Sequence, residues 1–92
     1  MISLPKWGEH AEKKVRYHGI EMYQIAEAWI YGELEMSEAQ PGCWRLIGSE
    51  VTLVLNADKD FIITLYPNKH NDHEAAERVA NCIEIGLTRF EE

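Results

Sequence analysis

Ninety-two residues, 46% of them apolar and three of them tryptophan, suit one folded domain with one core and are too few for two lobes. Sixteen carboxylates against nine lysines and arginines give a net charge of −7, which excludes the broadly basic surface that general nucleic-acid binding requires. No run approaches the roughly eighteen apolar residues of a membrane span, and Cys43 and Cys82 stand apart without a CxxC pair, which excludes a cysteine zinc site. The expectation is a cytoplasmic chain with reduced thiols, one domain over residues 1–92 and no membrane partner.

Trp7, Ala11 and Val15 repeat every four residues and predict a helix over 7–18, with Gly19 where a C-terminal cap belongs. A second helix over 21–31 carries Met22, Ile25, Ala26, Trp29 and Ile30 and stops at Gly32. The charged stretch "ELEMSEAQPG" then leads through the Pro41-Gly42 turn signal to strands over 43–48, 50–56 and 61–67. The last two flank the polar turn "ADKD" as a hairpin, with Phe61, Ile63 and Leu65 on one face and Ile62, Thr64 and Tyr66 on the other. From Asn71 or Asp72 a third helix carries the stripe Ala76, Val79, Ala80, Ile83, Leu87 and Phe90, long enough to cover the sheet or to pair two copies as a homodimer. The predicted class is α+β, two N-terminal helices packed on an antiparallel sheet of three or more strands, followed by a C-terminal helix.

His10, Lys14 and His18 recur every four residues and share one face of the first helix. Over residues 6–18, four cations face two carboxylates, a net +2 that leaves −9 on the rest of a chain totalling −7. That row is either a local anion site in an acidic protein or an ordinary wet helix face. His70, His73 and Glu77 offer no fourth metal ligand, so no metal and no cofactor are expected. Glu33, Glu35 and Glu38, near Glu27, read as a solvated face or as a mimic of nucleic-acid phosphates toward a basic partner.

In this order, "HAEKKVRYHGI", a helix ending "YG", "WRLIG", "VTLVLN" and "FIITLYP" resemble the small bacterial and phage family called domain of unknown function 4258, over about residues 8–67. That family is grouped with RelE-like and barnase-like RNase folds. The resemblance implies a toxin-like, metal-independent endoribonuclease with RNA as its partner. By position His10 takes the family's histidine, and Lys14 and His18 stand where arginine is usual. Thr64 and Tyr66 match the closing strand, and Arg45 matches the strand before the hairpin. His10, His18 and Tyr66 would then move protons as catalytic residues, and Lys14, Arg45 and Thr64 would bind substrate phosphate. The alternative is a non-catalytic acidic binding protein on the same fold, an inhibitor or nucleic-acid mimic acting on a basic protein.

Overall fold

The computed structural model describes residues 3–37, 41–69 and 72–85, and among these it holds three helices and one five-stranded sheet. The elements are β1 (Lys6–Trp7), α1 (Glu9–His18), α2 (Met22–Tyr31), β2 (Glu33–Met36), β3 (Trp44–Ile47), β4 (Val51–Leu55), β5 (Phe61–Pro67) and α3 (His73–Glu84). The α+β class matches the expectation, and no helix among the described residues is long and apolar enough to cross a membrane.

Local chemistry sets the helix ends. Gly19 takes the left-handed conformation at φ 64°, and Ile20 N–H donates back to the Val15 carbonyl at 2.9 Å, which turns Ile20 into the core. At the start of α2, Glu21 and Gln24 close a reciprocal capping box, with Glu21 N–H donating to Gln24 Oε1 at 2.8 Å. Gly48, between β3 and β4, is fixed by crowding. A Cβ there would lie 2.6 Å from the Ala28 Cβ, so α2 presses on that turn only because no side chain intervenes.

The sheet order is β1-β5-β4-β3-β2, with β2 to β5 paired antiparallel and β1 parallel to β5. The sheet is therefore mixed, which corrects the expected antiparallel arrangement. Two residues make the difference: Lys6 and Trp7 pair with Phe61 and Ile62, so Trp7 precedes α1 instead of opening it. The charged stretch after α2 also forms a strand. Leu34 packs against the core while Glu33 and Glu35 point to the other face, where each meets an arginine.

Across the sheet Leu46, Leu53 and Leu65 form one buried row. With Val51, Leu55 and Ile62 they take Ala11 of α1 and Ile25 and Ala28 of α2 on their face. Each such leucine contributes roughly 1.5–3 kcal/mol by leaving water. A register shift pairs Val54 with Thr64 and Leu55 with Ile62, leaving Ile63 as the extra residue of a bulge. That bulge puts Ile62 and Leu65 together in the core and leaves Ile63 only half-buried, correcting the expected Phe61–Ile63–Leu65 face. On the opposite face α3 covers β2 and β3 through Ala75, Ala76 and Val79, with Ala80 exposed. Leu87 and Phe90, expected to continue its stripe, lie outside the described residues.

Candidate functional site

The expected site residues fall into two sets. Arg45, Thr64 and Tyr66 come from β3 and β5 and share a face, because Arg45 is opposite Val54, Val54 opposite Thr64, and Tyr66 lies two residues on. This is the face that receives α3. Arg45 is the centre of a polar network there. Its guanidinium donates to Glu35 Oε1 at 2.9 Å and pairs with Asp72 Oδ1 at 3.3 Å, the Asp72 side chain being only 1% exposed. Asp72 Oδ2 also accepts from the Lys69 backbone N–H at 3.3 Å, and the Lys69 ammonium sits 4.6 Å above the Tyr66 ring. The hydrogen bond to Glu35 leads in raising the Arg45 pKa, and the Tyr66 hydrogen bond and Asp72 charge add to it against desolvation. Its charge is answered by two carboxylates of the fold.

His10, Lys14 and His18 share α1, as the spacing requires. Ala11 and Val15 seat that helix on the leucine face, so the row and the Arg45 set stand on opposite sides of the sheet. His10 and His18 are exposed and Lys14 is half-buried. His18 makes an edge contact with the Tyr17 ring at 4.9 Å, and Arg16 pairs with Glu12 on the same helix at 3.8 Å. The six residues do not line one cleft. His70 lies outside the described residues, among which no group of three His, Cys, Asp or Glu side chains is placed to hold a metal ion.

A cleft of about 430 Å³ opens elsewhere, lined by Tyr23 and Glu27 of α2, Ser49 and Glu50 of the β3–β4 turn, and Ala80 and Ile83 of α3. Glu27 Oε2 accepts from Ser49 Oγ at 3.2 Å, and Glu50 Oε2 accepts from Gln24 Nε2 at 3.1 Å. Among the described residues neither carboxylate has a cationic partner. The half-exposed Tyr23 phenol records this field: its pKa is raised, first by the Glu50 charge and then by burial, Glu27 and Glu21. Tyr23 and Glu27 stand four apart on α2, a local signal open to sequence reading. Glu50 and Ile83 join them only through the fold.

The sequence marks Asp72 only as a possible start of the third helix, and its partnership with Arg45 is visible only once α3 lies across the sheet. Compared with known proteins, the chain matches no family model, no curated protein and no solved structure.

Proposed function

We propose that this protein is a non-catalytic acidic binding protein that docks on a basic protein partner. The observation that carries the reading is the placing of Glu27 and Glu50 beside Tyr23 in one open cleft, where among the described residues neither carboxylate has a cationic partner; the raised Tyr23 pKa accords with it. Three of the cations on the described surface are already answered: Arg16 by Glu12, Arg45 by Glu35 and Asp72, and Arg78 by Glu33. Among the described residues the carboxylates around Tyr23 have no such answer, and a basic partner would supply one. The ribonuclease alternative joins His10, Lys14 and His18 to Arg45, Thr64 and Tyr66 around one phosphate, and these two sets stand on opposite sides of the sheet.

The test is fluorescence anisotropy with a labelled arginine-rich peptide and an acidic peptide of equal length. The expected result is binding of the basic peptide alone, weakening as salt rises from about 50 to 200 mM, as screening demands. A parallel incubation with single-stranded RNA is expected to leave it intact. Release of 2′,3′-cyclic phosphate ends that is lost in His10→Ala would reverse the assignment.

A further inference from the structure

Resting on the acidic-partner reading, we propose that the cleft between α2, α3 and the β3–β4 turn is the docking pocket for one arginine side chain of that partner. The lining divides by chemistry. Glu27 and Glu50 stand at its polar side, and Tyr23, Ala80 and Ile83 supply ring and aliphatic surface. An arginine matches both parts. Its methylene stem covers apolar surface while the guanidinium reaches the carboxylates, and the planar head also stacks on a tyrosine ring. A lysine would offer the charge without the fork or the stacking plane.

The protein has left room for that fork. Glu27 accepts from Ser49 and Glu50 from Gln24, each through Oε2, and the Tyr23 hydroxyl also donates to Glu50. These bonds orient both carboxylates and leave acceptor capacity on each. The cleft, about 430 Å³, is shallow and open to solvent, so a long side chain would lie across it with one side in water. A metal ion is the poorer occupant, because no group of three metal-ligating side chains occurs among the described residues and half the lining is apolar. The fit is charge complementarity beside apolar surface.

The experiment measures the arginine-rich peptide, and the same peptide with every arginine changed to lysine, against wild type, Glu27→Gln, Glu50→Gln, the double variant and a control, Glu74→Gln/Glu77→Gln, on the exposed side of α3. Melting temperatures check that each variant folds. The expected result is binding of the arginine peptide weakened about tenfold or more in the double variant, with the control near wild type and the lysine peptide weaker throughout. Titration with N-acetyl-arginine amide is expected to shift the NMR signals of the Tyr23 ring and the Ile83 methyl groups. Equal loss in the control and the double variant overturns the pocket while leaving general acidic binding intact. Absence of any binding to wild type overturns both. Self-association of the protein that the peptide does not displace would give the cleft to a second copy and overturn the arginine assignment.

Discussion

At the residue scale the most consequential side chain is Asp72. It is almost wholly buried, and its carboxylate meets the Arg45 guanidinium and the Lys69 backbone N–H. Removing one partner of such a pair leaves a charge without its answer, whereas replacing both with apolar groups is commonly neutral. Asp72→Ala is therefore expected to destabilise the protein by about 3 kcal/mol in urea unfolding, the low end for a buried pair because Arg45 keeps Glu35. The double replacement Arg45→Met/Asp72→Leu is expected to recover most of that loss. Tyr23 supplies a second residue-scale test. Its phenol is held above the ordinary value of 10.0, first by Glu50, so Glu50→Gln is expected to lower it in an NMR titration of the ring. Glu21→Gln is expected to lower it less, since that charge comes after those of Glu50 and Glu27.

At the scale of elements, what was legible in the sequence was what local chemistry decides. The stripe Ala11–Val15 and the Gly19 cap mark α1, and the "ADKD" turn marks the β4–β5 hairpin, where Lys59 takes φ 60°. Strand β2 was hidden by its own charge. "ELEM" alternates as a strand should, yet its glutamates read as a solvated face or a phosphate mimic, and only the fold brings Arg45 and Arg78 opposite them. The bulge at Ile63 was hidden for another reason, since a period of two cannot announce where it skips. The skip has a measurable result. Ile62→Ala is expected to cost roughly 2–5 kcal/mol and Ile63→Ala clearly less, though neighbouring isoleucines in a regular strand would differ the other way around if Ile63 faced the core. The candidate site shows the same division. The spacing of His10, Lys14 and His18 was readable because it is helical, but which face of the sheet they share with Arg45 depends on register between strands and on where the helices dock.

At the scale of the whole molecule, charge is sorted. The net-positive segment over residues 6–18 runs through β1 and α1, while Glu21, Glu27 and Glu50 group around Tyr23. Such a local group of like charges attracts an approaching basic partner before contact. Association with the arginine-rich peptide is expected to slow with added salt more than dissociation quickens, measured by stopped-flow mixing. Neutralising Glu27 and Glu50, which act in the cleft itself, is expected chiefly to quicken dissociation.

The parallel pairing of Lys6 and Trp7 with Phe61 and Ile62 has a consequence in time as well as in space. Strands β2 to β5 are sequential neighbours joined by short connections, so they close small loops and their ladder can nucleate early. Strand β1 must wait for β5, some fifty residues away by its register with Phe61, and α1 packs on that same strand. The beginning of the described chain is therefore expected to lock in last. In a chevron analysis Leu53→Ala is expected to slow refolding, whereas Ala11→Gly is expected to act mainly by hastening unfolding. Native-state hydrogen exchange should rank the same way, with the Trp7 and α1 amides opening before those of β4.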